Sequence, residues 1–311
     1  MQPINQSFNK LIKKGDFKTR YEAIKREVKS HPDVRAFLNE HRDELTDDML
    51  NRSLIKLYEY INQSKECNQC LNLDQCKNIL PGYHPNLVLQ GKTIDVQYER
   101  CPRKVLQDER NQHQSLIQSM YIPKEILNAS METIDLSEPS RLKAINLAQD
   151  FVEQYERGKR LKGLYLHGPF GTGKTYILGA IANELADKKL SSMFIYVPEF
   201  LRELKGSLYD HSVNDKIEAV KTVRVLMLDD FGAESMSSWV RDDILGAILQ
   251  FRMLENLPTF FTSNFDFSQL EHHLSYTQRG EEEKVKAARI MERIKYLATP
   301  IEIRGKNWRD R

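Results

Sequence analysis

Residues 164–186 read LYLHGPFGTGKTYILGAIANELA: a short apolar run, a loop with three glycines and a Lys-Thr pair, then an apolar-striped helix. Within it, GPFGTGKT at 168–175 satisfies the pattern G-x-x-x-x-G-K-[ST] in full, in the strand-loop-helix setting its chemistry requires. Gly168, Gly171 and Gly173 allow the backbone to curl so that its N–H groups converge on phosphate oxygens, helped by the positive end of the following helix. The whole loop, Gly168, Pro169, Phe170, Gly171, Thr172, Gly173, Lys174 and Thr175, is the expected ATP-binding segment. In it Lys174 bridges the β- and γ-phosphates and Thr175 holds magnesium.

Working outward, strand-like and helix-like segments alternate after about residue 135, which predicts an open α/β domain: a mostly parallel sheet with helices on both faces. Strands are expected at 162–167, 193–197, 223–229, 258–263 and 299–303, and helices near 140–157, 174–189, 198–206, 213–221, 238–256 and 283–297. The apolar run VRVLMLDDFG ends in Asp229 and Asp230. Asp229 is the expected second anchor for magnesium, through water. Asp230 is the expected base that polarises the attacking water, with Glu234 as runner-up and a supporting hydrogen-bonding role as the plainer reading of Asp230. PTFFTSN ends in Asn264, whose amide can contact the γ-phosphate and the water, or can cap the helix that follows; Ser268 also suits that cap.

The order of these motifs resembles the AAA+ ATPases over roughly residues 135–311. HGPFGTGKT, LMLDDFGAES, FFTSN and RIMERI look most like the bacterial replicative helicase loaders of the DnaI and DnaC type, and the cysteine-bearing N-terminal region resembles the DnaI branch. The resemblance implies slow, partner-dependent ATP hydrolysis used to load a hexameric replicative helicase onto single-stranded DNA, with other primosome proteins as further partners. It also implies that Arg293, with Arg289 as alternative, reaches the γ-phosphate of a neighbouring copy, so that turnover depends on self-association at the ATP site. The pattern departs in one respect: too few residues follow the strand near Ile303 for the helical lid common in AAA+ proteins. A DNA-binding ATPase that assists transposition and a non-hydrolysing ATP-binding adaptor are the rival readings.

The first third carries separate chemistry. Residues 20–41 read as two short helices broken at His31-Pro32. TDDMLNRSLIKLYEYINQ, from Thr46, reads as a third with Met49, Leu50, Leu54, Leu57, Tyr58 and Ile61 on one stripe. Alternation over 87–99 about Gln90-Gly91 reads as a hairpin. All four cysteines fall in this region, and in a reducing cytosol such a cluster points to metal. The two-residue spacing of Cys67 and Cys70 lets both thiolates meet one tetrahedral zinc ion, and the hairpin brings His84 towards Cys101. The favoured ligands are Cys67, Cys70, His84 and Cys101, with Cys76 as the alternative to His84. A zinc-stapled module bearing a helical stripe reads as a docking device for the helicase.

Residues 103–120 are polar and read as a helix or tether. The expected domains are therefore a helical, zinc-binding unit at 1–106, a linker at 107–134 and the ATPase at 135–311. Over 311 residues, 40% hydrophobic and 29% charged residues are ordinary for a globular protein, and a net charge of +2 gives no evidence of a polyanion-coating role, so any nucleic-acid surface must be a local patch. No stretch approaches the roughly 18 apolar residues of a spanning helix, so the expected place is the cytoplasm and no membrane partner is implied. Lys284, Lys286, Arg289 and Lys295, with Tyr276 or Tyr296, form a candidate strip for single-stranded DNA.

Overall fold

The computed structural model describes residues 17–65, 67, 70, 72–156, 159–206, 212–234, 236–276 and 282–308. It divides into two compact units, Met1–Arg110 and Asn111–Arg311.

In the first unit, helices α1 (Phe17–Ser30) and α2 (Pro32–Glu40) meet at His31, with Pro32 opening α2 where no N–H is needed. The stripe expected as one helix is two, α3 (Asp47–Arg52) and α4 (Leu54–Ile61), broken at Ser53. The reason is a tertiary bond: the Ser53 hydroxyl, fully buried, accepts the backbone N–H of Ile94 from the hairpin at 2.7 Å. Thr46 caps α3 through Met49 N–H. Strands β1 (Tyr83–Gln90) and β2 (Thr93–Arg100) pair antiparallel, with Gly91-Lys92 at the turn in place of Gln90-Gly91. Val28, Val34, Leu50, Leu54, Leu57, Ile94 and Val96 form this unit's core, which accounts for the apolar stripe.

Helix α5 (Pro102–Leu116) crosses the unit boundary. It leads into β3 (Ile117–Met120), then α6 (Lys124–Leu127), a 3-10 turn at Met131–Thr133 and α7 (Pro139–Glu156). The chain continues as β4 (Gly163–His167), α8 (Lys174–Asp187), β5 (Ser192–Tyr196), α9 (Val197–Gly206), α10 (Ser212–Thr222) and β6 (Val225–Asp229). A π-helical stretch at Val240–Leu245 runs into α11 (Gly246–Leu254), followed by β7 (Thr259–Ser263), α12 (Phe267–Ser275), α13 (Lys284–Leu297) and β8 (Ala298–Glu302). The sheet is wholly parallel with order β3-β5-β6-β7-β4-β8. Its two faces are covered by separate apolar clusters, one under α9 to α13 and one under α7 and α8, which explains why β4 to β7 read as unbroken apolar runs.

The expected linker at 107–134 needs correction, because its second half is built into the ATPase unit. β3 supplies the sheet's edge beside β5, and Asn183 of α8 donates to the carbonyls of Leu127 and Ala129, holding α6 against α8. Among the described residues no helix is long and apolar enough to cross a membrane.

Candidate functional site: a phosphate loop at the sheet edge

β4, α8, β6 and β7 bring the sequence-predicted groups together at the carboxyl ends of the strands, where open parallel sheets bind ligands. The loop between β4 and α8 has Gly168 at φ +136° and Gly171 at φ +71°. A Cβ on Gly168 would strike the carbonyl of Ile303, and one on Gly171 would strike the Asn307 side chain. Both glycines are thus required by backbone conformation and by close approach of the segment after β8.

Lys174 is buried, and its Nζ donates to Gly168 O (2.8 Å), Pro169 O (2.7 Å) and Asn264 Oδ1 (3.0 Å). The same Asn264 donates through Nδ2 to Asp230 Oδ1 at 3.0 Å. Asn264 therefore links the loop lysine to the second carboxylate of the β6 end. The cap of α12 is neither Asn264 nor Ser268: Asp266 accepts from Gln269 N–H, and Gln269 reciprocates in a capping box.

Asp229 is 4% exposed, and burial holds its carboxyl above the usual range. Thr262 Oγ1 (2.6 Å) and Thr175 Oγ1 (2.8 Å) both donate to its Oδ1 and oppose that rise. Thr262, which sequence reasoning passed over, also accepts the backbone N–H of Asp230 at 2.8 Å. Asp230 sits at φ +57°, a strained conformation for a non-glycine residue. One hydroxyl on β7 thus fixes both acids of β6. Glu234 is tied down through its backbone, its carbonyl accepting from His273 Nε2 at 3.0 Å.

Beside the loop lies a cavity of about 470 Å³ bounded by Thr172 and Gly173 at one end. Its other walls include Ile134, Arg141, Tyr176 and Trp308. Trp308 N–H donates to Gly171 O at 2.9 Å, and Tyr176 OH lies 2.7 Å from Thr133 Oγ1. None of these four carried a local signal, since they come from segments far apart in the chain.

The two candidate arginines of α13 differ in presentation. Arg293 is half-buried, with Nη1 donating to Gly246 O at 2.9 Å, and burial followed by the neighbouring Arg289 charge pulls its pKa down. Arg289 is exposed on the same helix. The lysines of the candidate nucleic-acid strip are spoken for: Lys284 pairs with Glu282, Lys286 with Asp242 and Glu283, and Lys295 with Glu271 and Glu292. The strip is therefore a mixed-charge surface, a correction to its reading from basic residues alone.

In the first unit, Cys67, Cys70, Cys76 and Cys101 line one cavity of about 220 Å³. Burial raises the Cys67 thiol above its ordinary pKa, and the Cys101, Cys76 and Cys70 thiols add to the rise. Gly82 explains the convergence of two of them: its N–H donates to Cys76 Sγ (3.4 Å) and its carbonyl accepts from Cys101 N–H (2.9 Å). His84 does not line this cavity, and its Nδ1 donates to Asn86 Oδ1 at 3.1 Å. The fourth group beside Cys67, Cys70 and Cys101 is thus Cys76, a correction to the preference for His84. Among the described residues no three such side chains stand in a metal-holding arrangement, although the four thiols share the cavity.

Comparison with known proteins agrees with this two-part layout. A family described as Primosomal protein DnaI N-terminus matches residues 1–98, and IstB-like ATP binding protein matches residues 82–311. The replicative helicase loader DnaI of Bacillus subtilis (strain 168) is 52% identical over 309 residues, 99% of either chain. A crystal structure of DnaI is 61% identical with a TM-score of 0.57, covering 63% of this chain and 98% of its own. A putative primosome component from Streptococcus pyogenes serotype M3 is 39% identical with a TM-score of 0.53, covering 64% and 98%.

Proposed function

The chain belongs to the DnaI family of replicative helicase loaders, and from that premise we propose that it binds ATP with magnesium at residues 168–175 and hydrolyses it to govern helicase placement on single-stranded DNA. The near full-length match, N-terminal region included, sets aside the transposition-helper reading. The observation that supports the ATPase reading is the connected set Lys174–Asn264–Asp230, which joins the loop lysine to the Asp230 carboxylate.

In this reading Lys174 leaves the Gly168 and Pro169 carbonyls for the β- and γ-phosphates. Thr175 and Asp229, an all-oxygen pair already hydrogen-bonded to each other, suit a hard divalent ion. A magnesium ion held by Thr175 and Asp229 would supply positive charge against the charge that develops on the phosphates. Asp230, oriented by Asn264, accepts the proton of the water that attacks the γ-phosphorus, and ADP leaves in line. A neighbouring copy supplies an arginine from α13, and Arg289 is the better presented of the two candidates.

We further infer that the first unit binds the hexameric helicase and that its thiol cavity takes zinc. Cys67, Cys70, Cys101 and Cys76, the thiols that share that cavity, would hold the ion, and four filled positions would leave no site for substrate. The test of the main proposal is helicase deposition on a single-stranded circle coated with single-stranded-binding protein, measured beside ATP turnover. Lys174→Ala should abolish both nucleotide binding and productive loading. Full loading by a variant that cannot bind ATP would overturn the proposal.

A further inference from the structure

We propose that Arg241 and Glu283 position the arginine that α13 offers to a neighbouring copy, by clamping that helix to the π-helical stretch at Val240–Leu245. The inference rests on the trans role proposed for Arg289 and names two positioning residues that act through it.

Arg241 is 1% exposed, and its guanidinium serves three partners from three elements. Nε and Nη2 donate to the Asp242 carboxylate at 2.8 and 3.0 Å, Nη1 donates to Leu274 O at 3.1 Å, and Nη2 also reaches Glu283 Oε2. Asp242 and Glu283 share a second cation, Lys286, and Ser238 Oγ donates to Glu283 at 3.4 Å. Lys286 and then Arg241 hold the Glu283 carboxyl below its usual range, and Arg241 does the same for Asp242, so two cations face two anions at neutral pH. A buried ion cluster adds little stability beside apolar packing of the same volume; its best-attested use is to fix register. Here the register is that of α13, since Glu283 directly precedes that helix and Arg241 lies on the π-helical stretch.

The clamp has a second jaw. Arg293 Nη1 donates to the carbonyl of Gly246, the residue that follows the π-helical stretch, and a Cβ on Gly246 would lie 3.2 Å from that nitrogen. Glu283, Lys286, Ile290 and Arg293 share one face by their helical spacing, and that face meets both ends of the stretch. Arg289 stands three residues after Lys286 and four before Arg293, on the flank beside them, and is exposed. Rolling α13 about its axis would swing the Arg289 head off target, and a misplacement of about 1 Å in such a contact can cost about 100-fold in rate. Turns of π-helix are rare and gather at functional sites. This one also lies close to the acids of β6: Glu234 O accepts from His273, the residue before the Leu274 that Arg241 holds. Both halves of the proposed chemistry are thus referred to one anchor.

The experiment measures ATP affinity, melting temperature and steady-state ATP turnover of the full chain, with and without helicase. Glu283→Gln is the primary variant, because it keeps the side chain's shape and leaves Arg241 paired with Asp242. Arg241→Lys is the second, since an ammonium cannot serve three partners as the planar fork does. Both should bind ATP at parental affinity and keep the basal rate, while kcat for helicase-stimulated turnover falls at least about tenfold with KM unchanged. Combination with Arg289→Ala separates positioning from general damage. Residues that act as a unit are not additive, so the double variant carrying Glu283→Gln and Arg289→Ala should be no slower than Arg289→Ala alone. A parental stimulated rate in Glu283→Gln overturns the proposal, and so do losses that multiply in the double variant. If Arg289→Ala alone keeps full stimulated turnover, the trans reading fails and takes this proposal with it, a failure visible in that single variant and so told apart from the others.

Discussion

Thr262→Val removes one hydroxyl and almost no volume, yet it strikes the point where both acids of β6 are fixed. Thr262 is 1% exposed, its Oγ1 donates to Asp229 Oδ1 and accepts from Asp230 N–H. A hydrogen bond to a carboxylate contributes about 1.5–3 kcal/mol, and a buried N–H left without an acceptor costs about 1–3 kcal/mol. Part of the second sum returns if Asp230 relaxes out of its left-handed conformation, which stores about 1–2 kcal/mol. The net loss should be about 2–4 kcal/mol, a large share of the ~5–15 kcal/mol typical of a domain. Both tryptophans, Trp239 and Trp308, lie within residues 111–311, so denaturant unfolding followed by tryptophan fluorescence reads this unit alone. The midpoint should fall with the slope unchanged. Asp229, deprived of one of the two hydroxyls that hold its carboxyl down, should titrate higher still and bind magnesium and ATP more weakly. Thr262→Ser should restore both properties. A Val variant within about 0.5 kcal/mol of the parent, the range of a neutral surface change, and equal in ATP affinity would refute the reasoning.

Asp230→Asn should bind ATP at parental affinity and hydrolyse it at least ~100-fold more slowly, the usual share of a general base; if Glu234→Gln has that phenotype instead, the base is Glu234. Arg289→Ala should bind ATP and helicase normally but lose the helicase-stimulated part of turnover. Arg293→Ala should instead lower the melting temperature of the ATPase unit through the lost Gly246 contact, and the reverse pattern would return the trans role to Arg293. Elemental analysis of protein purified without chelators should find one zinc per chain, lost in Cys76→Ser and retained in His84→Ala; retention in the first and loss in the second would restore His84 as ligand.

The phosphate loop was legible because its chemistry is contiguous: eight residues, one strand before and one helix after. Asp229 and Asn264 were legible because each ends an apolar run that can only be a buried strand. Thr262 was hidden inside such a run, where an isolated hydroxyl resembles any β-branched residue until β6 and β7 are paired. Arg141 and Trp308 were hidden for another reason, since they come together only when α7 and the segment after β8 close on the loop. β3 escaped because it is an edge strand with Ile117 buried and Gln118 and Ser119 exposed, a pattern too short and too polar to stand out. Ser53 shows the same limit at smaller scale: its hydroxyl is placed by the backbone N–H of Ile94, from the distant hairpin.

The strand order also has a bearing on how the protein is made. β4 carries the phosphate loop on its end, yet its neighbours in the sheet are β7 and β8, paired through residues such as Phe261 and Ala298. Both are synthesised long after β4. Non-local pairing of this kind is slow, because loop closure must precede the contacts that reward it. On the ribosome the N-terminal unit can fold early, as domains emerging first generally do, while β4 waits with both edges unpaired. A nascent chain stalled before residue 259 would carry the complete nucleotide motif in its sequence and have neither strand that flanks β4. Such a chain is a natural client for a chaperone, and nucleotide-dependent protection from proteolysis should arise only once β8 has left the exit tunnel.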